Sequence, residues 1–152
     1  MDPADIELAE QPIGYWTKVA YEAVIGHIRG EMAELGTSQP QYWLLRHLSV
    51  HDLNPDGRGR TVAQLVAQMR EFLRDGDDLE AESGRLVERG WLRRDDGGRL
   101  WITDAGETAR VRIKEQAPRW RARLHDGVDD ADYVTTLKVL RRMIENAGHV
   151  AV

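Results

Sequence analysis

Apolar residues recur every three or four positions over most of the chain, which is the spacing of amphipathic α-helices. The pattern predicts six helices. The first runs from Pro12 to about Leu35 and is stopped by Gly36, and its apolar coverage is wider than one small core needs. We therefore expect a second chain to cover part of this helix. The other five helices are expected to begin after the capping residues Ser38, Thr61, Asp77 or Asp78, Thr103 and Asp129.

The inner faces and the ends of these helices follow from the same spacing. The third helix places a continuous apolar face inward, made of Val62, Leu65, Val66, Met69, Phe72 and Leu73. The fifth helix is expected to run to about His125 with a kink at Pro118, because proline lacks the N–H that a helix interior requires. Gly148 ends the sixth helix.

The apolar period shortens to two between the fourth and fifth helices. The runs "WLRR" and "RLWIT" alternate apolar and polar residues on either side of "DDGG", residues 95 to 98. Two such runs around a glycine-containing turn predict a β-hairpin. Trp91 and Trp101 lie in these runs, and we expect them to anchor the hairpin on the preceding helices.

The order of the elements predicts a mainly α fold with a small β-hairpin wing. Residues 37–103 match a winged helix-turn-helix, which places the second helix of its motif in the major groove of DNA. The helices over 12–35 and 104–147 are then candidates for dimerisation. We expect residues 11–148 to form a single domain and residues 1–10 to be an acidic, flexible tail.

Composition narrows the class of protein. The chain has 152 residues, a net charge of −5 and no cysteine, which excludes disulfides and thiolate metal sites. We expect a soluble, cytoplasmic protein, because no apolar run approaches the length of a membrane span and the acidic start lacks signal-peptide order. No third of the chain is strongly basic, so a nucleic-acid surface must come from local placement of charge.

The passage "LVERGWLRRDDGGRLWITDAG" resembles the helix-to-wing region of MarR-type transcriptional regulators. The first two helices, "PIGYWTKVAYEAVIGHI" and "TSQPQYWLLRHLS", resemble a branch of that family common in actinobacteria. The resemblance covers roughly residues 11–148. It implies a homodimer with interleaved terminal helices that reads pseudo-palindromic double-stranded DNA, as a repressor, and that a small molecule releases.

Six arginines are the candidate DNA contacts. Arg85 and Arg89 lie four residues apart on one face of the fourth helix, and Arg93 and Arg94 point to opposite sides of a strand, so at most one of these two lies along DNA. The expected set is Arg58, Arg60, Arg85, Arg89, Arg94 and Arg99. The alternative is a solvated helix face paired with Glu82 and a solvated loop before the third helix.

The fourth helix departs from the family because it opens with the acidic sequence "DDLEAES". Asp77, Asp78, Glu80 and Glu82 are expected to repel phosphates if they face the groove. They could instead pair with Arg85, Arg74 or Arg70. The alternative to a regulator is a degenerate MarR-like dimer that binds a ligand or a protein and has weak or no specific DNA binding.

The remaining chemistry is sparse. An effector pocket for a small aromatic or phenolic ligand is expected near the first two helices, from Trp16, Trp43, His47, Arg46 and His27. His47 and His51 have the spacing of metal ligands, but the pair alone favours a helix-end interaction, and we expect no metal site. No motif for a nucleotide, a nucleophile or a hydrolytic metal is present, so neither a cofactor nor an enzyme activity is expected.

Overall fold

A computed structural model describes residues 1–150 of the chain. They form eight helices and a two-stranded antiparallel sheet: α1 (Pro3–Ala9), α2 (Ile13–Glu34), α3 (Gln39–Leu48), α4 (Val62–Met69), α5 (Leu79–Glu88), β1 (Leu92–Arg94), β2 (Leu100–Ile102), α6 (Asp104–Lys114), α7 (Ala117–Leu124) and α8 (Asp130–Asn146). This is the winged-helix arrangement that the sequence predicts. Across residues 1–150, none of the helices combines the length and the apolar character needed to cross a membrane.

The chain forms two compact units that divide between Ala117 and Pro118. In the first unit, α3 is central and contacts α2, α4, α5, α6 and β2. Its leucines and those of its neighbours make the core, and the apolar residues with no exposed surface are Leu44, Leu45, Leu65, Met69, Leu86 and Leu100. Because α4, α5 and the wing all pack on α3, these elements are held on one scaffold.

Each predicted helix start after the first helix is capped as expected. The side chains of Ser38, Thr61, Asp78, Thr103 and Asp129 each accept a backbone N–H from the first turn of the helix that follows. Such caps satisfy N–H groups that have no partner inside the helix.

The passage into α6 explains the glycine of "ITDAG". A Cβ atom on Gly106 would lie 2.1 Å from the carbonyl oxygen of Trp91, so no larger residue fits without movement of the backbone. The N–H of Thr103 donates to the same carbonyl at 3.1 Å, and the Thr103 hydroxyl donates to the carbonyl of Gly90 at 2.6 Å. The start of α6 is therefore tied to the end of α5 and the entry to the wing.

The predicted acidic tail contains α1, which Asp2 and Asp5 close with a capping box, and every residue of α1 is exposed. The predicted extent of the fifth helix is wrong. The fifth helix ends at Lys114, and Pro118 lies in the first turn of the separate helix α7, where its missing N–H costs no hydrogen bond. Residues 11 to 148 fall within the two compact units, and the single domain over this range stays a prediction.

The third predicted helix is also shorter than its apolar pattern. α4 ends at Met69, and Phe72 is 56% exposed instead of facing the core. The residues after Met69 form the turn that leads to α5, and the N–H groups of Phe72 and Leu73 both donate to the Met69 carbonyl. The short helix leaves room for the turn of the helix-turn-helix.

Candidate nucleic-acid interface

Three of the predicted arginines meet at the base of the wing. Arg58, Arg60 and Arg99, together with Gln64 and Trp101, line a cleft of about 330 Å³. We call Arg58, Arg60 and Arg99 the wing-base cluster. Their meeting requires the loop before α4 to lie beside the hairpin.

A backbone bridge holds that loop in place. The N–H of Arg60 donates to the carbonyl of Leu100 at 3.2 Å, and the N–H of Leu100 donates back to the carbonyl of Arg60 at 2.7 Å. The loop thereby adds one antiparallel pair to the edge of β2. Gly59 makes the approach possible, since a Cβ there would lie 2.5 Å from the Trp101 ring.

The partners of the wing-base cluster are mostly neutral. The Arg99 guanidinium donates to the carbonyl of Gly59 at 3.1 Å. Arg58 is exposed, and no described residue holds its guanidinium. Arg60 pairs with Asp56 at 2.9 Å, and this hydrogen bond, with that from the Arg58 N–H, holds the pKa of Asp56 below its usual value. The cluster therefore keeps a net positive charge at neutral pH.

The start of α4 lies beside this charge. Gln64, in the first turn of α4, lines the same cleft, and Thr61 and Gln64 close a capping box. The capping box occupies the N–H of Gln64. The N–H groups of Val62 and Ala63 have no intrahelical acceptor, because they lie in the first turn of the helix. Helix N-termini and arginines are both suited to binding phosphate. The wing base can therefore hold a backbone phosphate of a nucleic acid.

The wing itself is short and organised by Asp95. Its carboxylate accepts the N–H groups of Gly97 and Arg99 at 3.0 and 2.9 Å, and the indole N–H of Trp101 at 2.9 Å. The bond from Trp101 is the main reason that the pKa of Asp95 lies below its usual value. Gly98 adopts a φ of +75°, which closes the turn. Trp101 thus contacts Asp95 within the hairpin and Gly59 in the loop before α4, and its expected anchoring on the preceding helices stays a prediction.

Arg85 of α5 and Arg94 of β1 are each paired with a carboxylate of α5. Arg94 Nη2 lies 2.7 Å from Glu80 Oε1 and 3.1 Å from Ser83 Oγ. Arg85 Nη1 lies 2.7 Å from Glu82 Oε1. These two arginines are separate from the wing-base cluster, and we call them the helix-face pair.

Arg89 lies apart from both groups. Its guanidinium donates to the carbonyl of Gly36 at 2.6 Å and stacks 3.6 Å from the centroid of the Trp91 ring. It thus joins the end of α5 to the end of α2. Arg93, on the other side of the hairpin from Arg94, lies 5.0 Å from the Trp101 ring. Both arginines have structural contacts, and the DNA role of Arg89 stays a prediction.

The acidic start of α5 is paired rather than free. Asp77 is only 8% exposed and receives both terminal nitrogens of Arg29 from α2 at 2.8 Å, as well as the N–H of Arg74. The hydrogen bond from Arg29 is the main reason that the pKa of Asp77 is lowered. Asp78 is the cap of α5. The expectation that all four acidic residues can face phosphates is therefore wrong for Asp77, whereas the predicted Glu82–Arg85 pair is confirmed.

The residues expected to line an effector pocket have separate neighbours. Trp16 is 44% exposed on α2, and its indole N–H donates to Gln11 at 2.8 Å. Trp43 packs against Phe72 with ring centroids 6.0 Å apart. The Nε2 atom of His27 is buried and has no hydrogen-bond partner among the described residues.

The two other effector candidates lie on α3. Arg46 makes two hydrogen bonds to Asp52, at 3.0 and 3.1 Å, and Arg110 of α6 adds a third at 3.3 Å. Burial lowers the pKa of His47, which a hydrogen bond with Gln68 partly offsets. The effector site stays a prediction.

Sequence reasoning missed the network around Asp52. Burial would raise the pKa of this carboxyl group, but the hydrogen bonds and charge of Arg46, with the charge of Arg110, outweigh it and lower the pKa. Arg110 is 4% exposed and also pairs with Glu107 at 2.8 Å. Glu107 and Arg110 have the i, i+3 spacing of a helix pair, which is a sequence signal. Nothing in the sequence shows that Arg110 is buried.

The fold is similar to solved structures of MarR family transcriptional regulators. One from Silicibacter pomeroyi has a TM-score of 0.69 at 20% identity, covering 97% of this chain and 99% of the other. A MarR family protein from Mycobacterium tuberculosis in complex with DNA has a TM-score of 0.63 at 15% identity, covering 88% and 98%. The transcriptional repressor CouR has a TM-score of 0.63 at 23% identity, covering 91% and 96%. No family model and no curated protein matches the chain by sequence. At these identities the likeness establishes the winged-helix fold.

Proposed function

We propose that this protein is a DNA-binding transcriptional regulator of the MarR type, acting in the cytoplasm as a homodimeric repressor. The observation that carries the proposal is the wing-base cluster beside the N-terminus of α4, on a fold whose solved relatives are transcriptional regulators. One of those relatives is a complex with DNA. The resemblance of α2 and α3 to the actinobacterial branch remains a prediction.

In this proposal each element has a separate task on DNA. The helix α5, the second of the helix-turn-helix, enters the major groove, while the wing base contacts the flanking phosphates. Arg58 and Arg99 supply charge to the phosphates, because neither is held by a carboxylate. Arg85 and Arg94 are placed to meet base edges, where arginine pairs with guanine.

The two long helices support the proposed dimer. In α2, exposed apolar side chains follow one another along the helix: Ile13, Tyr15, Trp16, Val19 and Val24. In α8, the exposed apolar side chains are Val134, Leu137, Val139, Met143 and Ile144. Exposed apolar side chains on two long helices are typical of a protein interface. A dimer would place two winged units about one helical turn of DNA apart, roughly 34 Å.

The dimer is tested by a matched pair of substitutions. Leu137 in α8 and Leu53 in a loop are both 48% exposed. We expect Leu137→Asp to give a monomer in light scattering after gel filtration and Leu53→Asp to leave a dimer, because only the first places charge in the interface. A wild-type monomer at micromolar concentration contradicts the dimer.

The proposal also includes a small-molecule effector. We propose that a small aromatic or phenolic ligand binds near α2 and α3 and favours a spacing of the winged units that does not fit DNA. The aromatic side chains of Trp16 and Trp43 in these helices support it. Titration of the protein–DNA complex with simple aromatic acids should release DNA at a ligand concentration that Trp43→Ala raises.

The regulator assignment is tested by footprinting on the DNA upstream of its own gene. We expect two protected half-sites related by an approximate two-fold axis, because a symmetric dimer reads a pseudo-palindrome. Protection that is uniform along the DNA, or absent at micromolar protein, contradicts the assignment. The control is the same footprint with Arg58→Gln/Arg99→Gln, which should lose protection.

A second candidate function is favoured by the pairing of Arg85 and Arg94 with carboxylates. In this alternative the protein is a degenerate, dimeric module that binds a ligand or a protein and has weak or no specific affinity for DNA. A dimer without a footprint, whose binding to duplexes is micromolar and insensitive to sequence, supports this alternative over the regulator.

A further inference from the structure

In the proposed function α5 enters the major groove, and this helix carries two charge pairs. Glu80 holds Arg94 of the wing at 2.7 Å, and Glu82 holds Arg85 at 2.7 Å. Each pair joins a cation suited to phosphate with an anion that repels phosphate. The pairs therefore present almost no net charge to an approaching duplex.

The ion pair between Glu80 and Arg94 is exposed to solvent and can dissociate. Glu80 is 63% exposed and Arg94 is 34% exposed, so water and ions reach both groups. Exposed ion pairs of this kind contribute roughly 0.2–1 kcal/mol, because solvent screens them. A phosphate or a base edge can therefore compete with Glu80 for Arg94.

Glu82 is less free. It is 16% exposed, and Gln41 of α3 donates to its second oxygen at 2.6 Å. Its carboxylate therefore stays in place beside Arg85 whether or not DNA is bound. Substitution of Glu82 would also disturb the contact between α3 and α5, so Glu80 is the better residue to test.

We propose that Glu80 and Glu82 form a carboxylate mask that sets the DNA specificity of this protein by lowering its affinity for phosphates in general. The inference rests on the proposed function. On random DNA, Arg94 must break its ion pair with Glu80 before it can bind a phosphate, so this exchange adds little to the binding free energy. At the specific site, both the arginine and the carboxylate gain hydrogen bonds to base edges, because guanine accepts from arginine and the amino group of cytosine donates to a carboxylate. Removing the mask strengthens non-specific binding more than specific binding.

The chain offers a matched control on the same helix. Glu88 is exposed at the other end of α5, and no described residue pairs with its side chain. Glu88→Gln removes the same charge as Glu80→Gln without releasing an arginine. Melting temperatures of both variants are measured first, and equal values establish that the fold is unchanged.

The experiment measures the Kd of the full-length protein for a labelled random-sequence duplex of about 24 base pairs over a salt series, long enough for two half-sites. We expect Glu80→Gln to tighten non-specific binding about three- to tenfold over Glu88→Gln, and to steepen the salt slope by about 0.9, as for one added phosphate contact. The gain should vanish in Glu80→Gln/Arg94→Gln. Arg94→Gln alone should change non-specific binding by less than twofold.

The outcomes separate this inference from the proposed function. Equal affinities of Glu80→Gln and Glu88→Gln for the random-sequence duplex overturn the mask. The proposed regulator function is still supported in that case if footprinting finds an operator. A gain for Glu80→Gln that survives removal of Arg94 also overturns it, because the effect is then general charge. A gain that depends on Arg94, in a protein without any operator, contradicts the regulator and overturns the role of the mask in specificity, because the protein then has no specific site.

Discussion

The arginines of the winged unit fall into two groups that differ in the charge of their partners. In the wing-base cluster, Arg60 pairs with Asp56, but Arg99 is held by a carbonyl oxygen and Arg58 has no described partner, so no paired carboxylate offsets the charge of these two. In the helix-face pair, Arg85 and Arg94 are each held by a carboxylate. We therefore expect the two groups to attract phosphate differently. In the proposed function, the partner of each arginine, and not the number of arginines, sets the affinity of each region for DNA.

The carboxylates at the start of α5 differ in the same way. Asp77 is 8% exposed and held by both nitrogens of Arg29, whereas Glu80 is 63% exposed and makes a surface pair. Burial makes the first a structural contact between α2 and α5. Because Glu80 is exposed, its carboxylate can interact with a molecule that binds at the start of α5.

The largest effect is expected from Asp77. Asp77→Ala should destabilise the protein by about 2–4 kcal/mol, because it leaves the partly buried charge of Arg29 without its partner. Glu80→Gln, at the same end of the helix, should cost less than about 0.5 kcal/mol. Urea denaturation measures both changes. Similar losses for the two variants would show that the distinction by burial is wrong.

The next effect is on binding of the proposed operator. Arg58→Gln/Arg99→Gln should weaken it roughly tenfold to hundredfold at fixed salt, since two phosphate contacts are lost. Arg85→Gln should weaken it less, because Glu82 already holds that arginine. Arg141→Gln, a 69% exposed arginine of α8, serves as the control and should change nothing. An Arg85 effect that exceeds the double variant would reverse the comparison.

A smaller effect is expected from the contact that builds the wing base. Gly59→Ala should destabilise the protein by about 1–3 kcal/mol, since its methyl group would lie 2.5 Å from the Trp101 ring and force the loop outward. Gly97→Ala is the control, because its methyl group meets Asp95 at 3.4 Å, an ordinary contact. Thermal unfolding compares the two. An undisturbed Gly59→Ala protein with full DNA affinity would show that the approach of loop and hairpin is unimportant.

The smallest effect is expected from mild acid. The pKa values of Asp77 and Asp52 are lowered in the folded protein, while in the unfolded chain they are about 3.9. Their stabilising contribution is thus complete above about pH 5 and is lost as the pH falls through the folded pKa values. Stability should change little between pH 7 and 5 and fall below that. Asp77→Asn should flatten the fall, and an unchanged pH profile in this variant would contradict the assignment.

Much of the winged fold follows from local signals in the sequence. The caps at Ser38, Thr61 and Thr103 and the "DDGG" turn each act within a few residues, so they mark helix starts and the hairpin correctly. Helix ends are less predictable. The apolar pattern of α4 continues to Phe72, but the chain leaves the helix after Met69 to make the turn.

The site is less predictable, because its contacts join distant parts of the chain. Arg58 and Arg99 are separated by about forty residues, and contacts such as the bridge between Arg60 and Leu100 bring them together. Likewise, Arg89 had the helical spacing of a DNA contact but turns to the carbonyl of Gly36. The pairing of Glu82 with Arg85 was predictable because it is local to one helix.

The most direct test of the wing base as the phosphate contact is the salt dependence of operator binding. The logarithm of the association constant is measured against the logarithm of salt concentration for the wild type and for Arg58→Gln/Arg99→Gln. Two phosphate contacts predict that the double variant has a slope shallower by about 1.8. Parallel lines for the two proteins would contradict the account, because these arginines would then release no counterions from DNA.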